Sequence, residues 1–363
     1  MIINKLLDQA QAKNITDLHL TDDRPAMIRQ SGQLRIVEEE IISREQLKTL
    51  LEEIAPPRNL NEINENGSSD FACNYKELRL RISVFRQQGT LALAIRLLPD
   101  NFLSWDELDL PVQLQRVITR KHGLFLVCGP TGSGKTTTMA GLLNHINNSS
   151  AKHIITIEDP VEFIYPQGKS LIHQRQVGDD VISFQTGLTK ALRQDPDVIL
   201  IGEMRDLATT RTAITAAETG HLVFATMHAR NVGSAITRLI SQFPRDEQMF
   251  VRAQTAESLL AIIAQRLLPR ADGQGLTAAM EIMLMTDSIA SLIRQEKEAM
   301  IPDEILKGKL QGMQFFDDHL ERLVENGTIK KGDAVKYADT PGKMKTELDQ
   351  GTKTDKKTSF WLK

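Results

Sequence analysis

Gly129-Pro130-Thr131-Gly132-Ser133-Gly134-Lys135-Thr136 constrains this chain more than any other stretch. It fits the spacing G-x-x-x-x-G-K-[ST], which works only between a strand and a helix. Both neighbours are present. Leu124-Phe125-Leu126-Val127-Cys128 is a short apolar run that reads as a strand buried on both faces, and Thr136 to Ile146 carries Met139, Leu142, Leu143 and Ile146 at helical spacing. Gly129, Gly132 and Gly134 let the backbone curl so that successive N–H groups point at a phosphate, in front of the positive end of the new helix. Lys135 is then placed to reach the β- and γ-phosphates, and the Thr136 hydroxyl to meet Mg²⁺. ATP and Mg²⁺ are the expected cofactors.

With 363 residues, 41% of them hydrophobic and 25% charged, the chain is long enough for two domains, and one nucleotide-binding core would not use it all. There are 44 basic and 47 acidic residues, so no global attraction to nucleic acid or anionic lipid is built in. The two cysteines, Cys73 and Cys128, lie far apart and inside apparent strands; they read as small core residues in a reducing compartment, with neither a C-x-x-C zinc site nor a disulfide framework. The stretch Met1-Ile2-Ile3-Asn4-Lys5-Leu6-Leu7-Asp8 lacks a long apolar h-region, and no apolar run approaches a membrane span. A cytoplasmic protein without direct membrane insertion is expected.

In the first half, residues 2–13 read as an amphipathic helix through Ile3, Leu6, Leu7 and Ala10, and 17–21 alternate like a strand. Ser31-Gly32 is a plausible two-residue turn between 27–30 and 33–37. Arg44 to Ile54 is helical by spacing and ends at Pro56-Pro57. Leu78 to Arg86 and Leu91 to Leu97 alternate strictly around Gln87-Gln88-Gly89-Thr90, so Arg79, Arg81 and Arg96 sit opposite the leucines. Such a face is either a solvated basic surface or an arginine cluster offered to phosphates. Pro99 to Gln115 reads as a linker.

The second half alternates apolar strands with helical stretches, the pattern of a mainly parallel α/β sheet covered on both faces. Its strands lead into chemically loaded residues: Ile154 to Ile157 into Glu158-Asp159-Pro160-Val161-Glu162, Val198 to Ile201 into Gly202-Glu203-Met204-Arg205-Asp206, and Leu222 to Met227 into His228. Ligands bind at the carboxyl ends of such strands, so these ends and the phosphate loop should meet in one crevice. Thr136 and Glu203 are the candidates to position Mg²⁺, directly or through water; Glu162 to polarise the attacking water; His228 to sense the γ-phosphate. For His221, just before an apolar strand, a structural and a catalytic role are equally open. Beyond residue 250 the chain reads as helical, including Ala256 to Leu268; Phe315 to Val324 should stop at Asn326-Gly327, and the polar stretch 338–363, in which Trp361 has no assignment, should be mobile.

Four ordered motifs carry a family resemblance. Gly129 to Thr138, Thr156 to Phe163, Leu192 to Asp197 with Gly202 to Asp206, and Ala217 to His221 with His228 resemble the Walker A, Asp-box, Walker B and His-box motifs of type II/IV secretion-superfamily ATPases. Within that superfamily, Gly202 to Asp206, Asp17 to Leu20 and Gly312-Met313-Gln314 resemble the type IV pilus retraction branch. The resemblance implies a PAS-like N-terminal α/β domain over 1–98, a linker over 99–115, a RecA-like P-loop domain with C-terminal helices over 116–337, and a mobile polar tail over 338–363. It implies a homohexameric ring that acts on an inner-membrane pilus platform protein from the cytoplasmic side. Glu162 becomes the base and Glu203 the Walker B acid; His221 and His228 become the His-box residues, Arg79, Arg81 and Arg96 phosphate-contacting arginines, and Gly129 to Thr137 the ATP-binding loop.

Assembly and secretion ATPases usually carry a four-cysteine zinc insert, which two cysteines cannot build, so no zinc is expected and retraction is favoured. Against that, the retraction branch has Ala-Ile-Arg-Asn-Leu-Ile-Arg-Glu where this chain has Ser288 to Gln295, with Ala290 replacing an arginine and Gln295 an acid. An assembly or secretion motor without zinc is the alternative. A nucleic-acid translocase is remote, given near-neutral charge and 5% aromatic residues.

Overall fold

A computed structural model describes residues 6–7, 15–30, 33–76, 78–98 and 101–358. The chain forms two compact units, Met1–Phe102 with Asp159–Pro166, and Leu103–Glu158 with Gln167–Lys363. The expected turn at Ser31-Gly32, Trp361, and all of the expected helix over 2–13 except the buried Leu6 and Leu7 lie outside the described residues.

In the first unit, β1 (Ile15–Thr21), β2 (Arg24–Gln30), β3 (Gln33–Ile42), β4 (Ser68–Tyr75), β5 (Leu78–Gln87) and β6 (Thr90–Leu98) form an antiparallel sheet ordered β3-β2-β1-β6-β5-β4. The period-2 pattern decides which face is buried: Leu80, Ile82 and Val84 of β5 and Leu93 and Ile95 of β6 join one core with Leu47, Leu50, Leu51 and Ile54 of α1 (Arg44–Ile54). Ser43 starts α1 with a capping box, its hydroxyl accepting from Gln46 N while Gln46 Oε1 accepts from Ser43 N, an arrangement that contributes about 1 kcal/mol. Pro57 opens a second helix, α2 (Pro57–Asn66). Gln88 and Gly89 both have positive φ, 47° and 77°, which matches the twist of the β5–β6 hairpin they join.

In the second unit, β7 (Gly123–Cys128), β8 (His153–Glu158), β9 (Leu171–Gln176), β10 (Val198–Ile201), β11 (Leu222–Met227), β12 (Leu259–Pro269) and β13 (Leu276–Leu284) form a sheet ordered β13-β12-β7-β11-β10-β8-β9. All its pairings are parallel except β12 with β13. Every residue of β7, β10 and β11 is buried, so both faces of the sheet centre are covered, as a continuous apolar run requires. The helices that follow these strands are α3 (Lys135–Ser149), α4 (Phe184–Ala191), α5 (Leu207–Glu218), α6 (Val232–Ser241) and α7 (Arg245–Ser258).

Three expectations change here. Most of the apolar run Ala256 to Leu268, read as helix, is strand β12: between β7 and β13 it is covered on both sides, and such a run has no periodicity to tell strand from helix. The segment read as a linker packs into the second unit from Leu103 onward. Leu108, Leu110 and Leu114 are buried there, and Gly141 of α3 leaves no room for a Cβ, which would lie 2.6 Å from Leu108. The stretch expected as a mobile tail forms α12 (Pro341–Thr358), after α8 (Asp287–Arg294), α9 (Ile301–Lys307), α10 (Phe316–Glu325) and α11 (Lys331–Tyr337). Its few apolar residues suffice because they face one way: Met344 and Leu348 are buried in a cluster with Phe316, Leu320 and Leu268. As expected, α10 stops at Asn326, and Gly327 follows with φ 69°.

Candidate active site

The phosphate loop takes the shape its glycines permit. Gly132 and Gly134 have φ 75° and 84°, in the left-handed region, and at Gly129 an added Cβ would lie 2.2 Å from Ser133 Oγ and 2.5 Å from the Gln265 carbonyl. Gly134 caps α3, so Lys135, Thr136 and Thr137 occupy the first helical turn with its free N–H groups, and Thr131 and Ser133 lie within the loop. Lys135 Nζ donates to the carbonyls of Gly129 and Pro130, 3.0 Å from each. Ser133 Oγ is buried with no hydrogen-bond partner among the described residues. The N–H groups of the first turn of α3, an ammonium and an unsatisfied hydroxyl suit a polyphosphate.

The neighbouring strand ends add charge. β11 lies beside β7 with Met227 opposite Cys128, which puts His228 next to Gly129. His228 Nδ1 is 3.2 Å from the Gly129 carbonyl and Nε2 is 3.1 Å from Glu203 Oε1. The ring faces an acceptor on each nitrogen. Glu203 follows β10; its Oε2 accepts from Arg205 Nε at 2.7 Å. The loop that carries it is fixed by Thr226 Oγ1 donating to the Gly202 carbonyl and by Met204 N donating to the Thr226 carbonyl. Asp206, the last residue of that motif, is structural: it caps α5 by accepting from Thr209 N and Oγ1, both at 2.8 Å.

Lys135, Thr136, Glu203 and His228 therefore belong to one carboxyl edge of the parallel sheet. His221 does not: it precedes β11 at the amino edge, one strand length or roughly 20 Å away, where Nδ1 and the backbone N both face the Ala216 carbonyl and its own carbonyl accepts from Gly123 N. There it bridges α5 and β7.

Glu162 belongs to the first unit with the arginine face of its sheet. Arg81 Nη1 lies 2.9 Å from Glu162 Oε1, and Arg79 Nη2 donates to the Val161 carbonyl at 2.8 Å. Arg81 and Arg96 stand directly opposite each other on β5 and β6, a like-charge pair that would repel unless compensated; Arg96 Nε is held by Asp17 Oδ1 at 2.8 Å.

Two residues at the carboxyl edge were not singled out in the sequence. Gln265 of β12, 1% exposed, donates from Nε2 to the Ser133 carbonyl at 2.6 Å and buttresses the loop from below. Its signal is a lone amide closing the apolar part of a strand. Glu158, buried at the end of β8, accepts from Thr156 Oγ1 at 2.6 Å and Gln174 Nε2 at 3.3 Å. The signature Gly312-Met313-Gln314 lies elsewhere: Gln314 Nε2 donates to the Met280 carbonyl and approaches the buried His319, and a Cβ on Gly312 (φ 92°) would meet Gln113 at 2.8 Å. It braces the C-terminal helices.

A phosphate loop on a parallel sheet, with an acid and a histidine at the neighbouring strand ends, defines a RecA-like P-loop ATPase. Residues 1–295 match the model of the family described as Type II/IV secretion system protein, and the chain belongs to that family. It is 40% identical over 342 residues to the Type IV pilus retractation ATPase PilT of Pseudomonas aeruginosa, a match covering 94% of this chain and 99% of the relative. It is 35% identical over 356 residues to the Type IV pilus ATPase PilU of the same organism, covering 98% and 93%. A solved structure, that of the pilus retraction motor PilT with bound ADP, superposes with a TM-score of 0.84 at 37% identity, covering 93% of this chain and 97% of that one.

Proposed function

We propose that this chain is the ATPase motor of type IV pilus retraction, working as a homohexameric ring beneath an inner-membrane platform protein on the cytoplasmic side. The observation that carries the reading is the similarity to PilT over nearly the whole length of both chains, together with Lys135, Glu203 and His228 meeting at one edge of the sheet. Among the described residues no helix is long and apolar enough to cross a membrane, which is consistent with attachment through a partner.

ATP binds on the loop Gly129 to Thr137, where the first-turn N–H groups of α3 and Lys135 neutralise its phosphates. Thr136 and Glu203 would hold Mg²⁺, directly or through water, and the ion would further neutralise the phosphate charge. Glu162 is the proposed base for water, His228 the γ-phosphate sensor, and Arg79, Arg81 and Arg96 the proposed phosphate-facing arginines. Gene deletion separates retraction from assembly, because cells that lose a retraction motor should become over-piliated and stop twitching, whereas bald cells would make the protein an assembly motor. On purified protein, Glu162→Gln should bind ATP and fail to turn it over; near-normal turnover would remove Glu162 from the role of base.

A second reading, a pilus ATPase that assists retraction without driving it alone, is favoured by the altered segment at α8. There Ala290 is buried against the core, and Gln295 closes the helix with its Nε2 on Ser291 Oγ. Deletion that leaves twitching nearly intact would select it.

A further inference from the structure

Beside the phosphate loop, and sharing only Pro130 with it, lies a pocket of about 500 Å³ lined by His228, Ala229, Arg230, Arg238, Arg266, Lys336, Tyr337 and Ala338. We propose that this pocket is a second oxyanion site, which receives inorganic phosphate as it leaves the hydrolysis site; the proposal rests on the ATPase reading above.

The charge balance carries the argument. Four of the lining residues are cations and none is a carboxylate. Three acids adjoin it: Asp339, whose Oδ1 is held by Arg266 Nη2 at 2.8 Å and Arg230 Nη2 at 3.1 Å, Asp317, which accepts from Asp339 N at 2.8 Å, and Glu281, buried within electrostatic reach of Arg266 with its carboxyl pushed up to about 7. Those acids lie behind Arg266 and Arg230, so the positive charge offered to the pocket comes mainly from Arg238 and Lys336, both exposed at its rim. Arg266 is also fixed in place: its guanidinium stacks 4.0 Å from the centre of the Phe316 ring and donates to the Tyr337 carbonyl at 2.8 Å. A fixed arginine flanked by exposed cations suits an oxyanion in transit better than one held tightly.

Position supplies the ligand. His228 lines this pocket and at the same time touches the Gly129 carbonyl and Glu203, so it is common to the reacting edge and to the basic pocket. The pocket includes none of Gly132 to Thr136, so an anion in it does not compete for the loop's own N–H groups. Hydrolysis yields one phosphate dianion beside His228, and the adjoining cavity has room for it and the charge to attract it. Because Lys336, Tyr337 and Ala338 belong to the end of α11, phosphate there would also touch the segment that leads into the C-terminal helix α12.

The test measures orthophosphate binding to the full-length, nucleotide-free protein by equilibrium dialysis, a readout independent of turnover. The double variant Arg238→Gln/Lys336→Gln should bind phosphate about fivefold more weakly, the effect of two partly screened charges, and Arg238→Lys/Lys336→Arg should restore binding. Lys135→Ala, which disables the loop, should leave a phosphate-binding site that still responds to the rim variants. Binding abolished by Lys135→Ala, or unchanged in the rim double variant, overturns the proposal, as does an absence of phosphate binding in the wild type. In steady-state hydrolysis the rim double variant should be less inhibited by added phosphate while inhibition by ADP stays the same; equal relief from both would place the residues in nucleotide binding and overturn the site. A protein that binds phosphate as described and hydrolyses no ATP would refute the ATPase reading and with it the release role, while leaving the oxyanion site itself in place.

Discussion

The two edges of the seven-stranded sheet carry similar side chains to different ends. At the carboxyl edge His228 and Glu203 face the phosphate loop, whereas at the amino edge His221 and the pair Lys152 and Asp197, 3.1 Å apart, face only turns and neighbouring strand starts. Both edges hold a histidine and a paired acid. What separates them is the direction of the parallel strands: β7, β8, β10 and β11 all end at the same edge, where the helices that follow β7, β10 and β11 present their N-terminal N–H groups. Residue type alone does not make a site; the edge it falls on does.

That contrast can be tested from its strongest point downward. Lys135→Ala should lower ATP hydrolysis by about a thousandfold, since it removes the only cation the loop itself contributes to the phosphates. Retention of more than about a tenth of the activity would take the reacting centre away from this edge.

Glu281 of β13 sharpens the comparison, because it is a buried acid with a structural role. It is 3% exposed, accepts from Val232 N at 2.7 Å, and so fixes the start of α6, a few residues beyond His228. Burial pushes its carboxyl up from 4.5 to about 7. With its folded pKa above the unfolded one, the stability it confers is full below pH 4.5 and is lost as pH rises through about 7. Glu281→Gln keeps the acceptor for Val232 N and removes the titration. The variant should therefore gain on the wild type by up to about 3 kcal/mol between about pH 4.5 and pH 8, read from urea unfolding at each pH. An equal offset at every pH would show that the carboxyl does not titrate in this range.

The two histidines provide the most direct comparison. His228→Ala should slow hydrolysis by about 10- to 100-fold with ATP binding kept, whereas His221→Ala should change the rate by less than about twofold. Equal losses would break the division between the edges. The smallest effect is expected at Gln265→Leu, which removes the amide under the loop and should raise the KM for ATP about fivefold while kcat stays near normal. A fall in kcat without a change in KM would mean that Gln265 acts on the transition state and not on the loop's shape.

Much of this was legible in the chain. Strict alternation in β5 and β6 identified which side of each strand is buried, and the hairpin between them followed from Gln88-Gly89. The phosphate loop, the acid after β10 and the histidine after β11 were readable because a strand followed by a loop and a capped helix leaves a local imprint. β12 was misread because a run covered on both sides carries no periodicity, and the tail helix because Met344 and Leu348 are too few to mark a face. Gln265 and Glu281 stayed hidden because a lone polar residue in an apolar strand gives no sign of what it will face.

By itself, the order of residues determined the local conformations: where the chain must turn left-handed, where a helix begins, which strands are buried throughout, and that a phosphate fits after β7. Tertiary structure alone decided which of these ends share an edge. It set His228 against Gly129, ninety-nine positions earlier, and left His221 a strand length away. It placed Glu162 with Arg81 in the first unit, and it gathered Arg230, Arg238, Arg266 and Lys336 around one pocket. The physical reason is that backbone torsions and apolar periodicity act over a few residues, whereas hydrogen-bonded strand order and shared burial act between segments whose separation along the chain leaves no local trace.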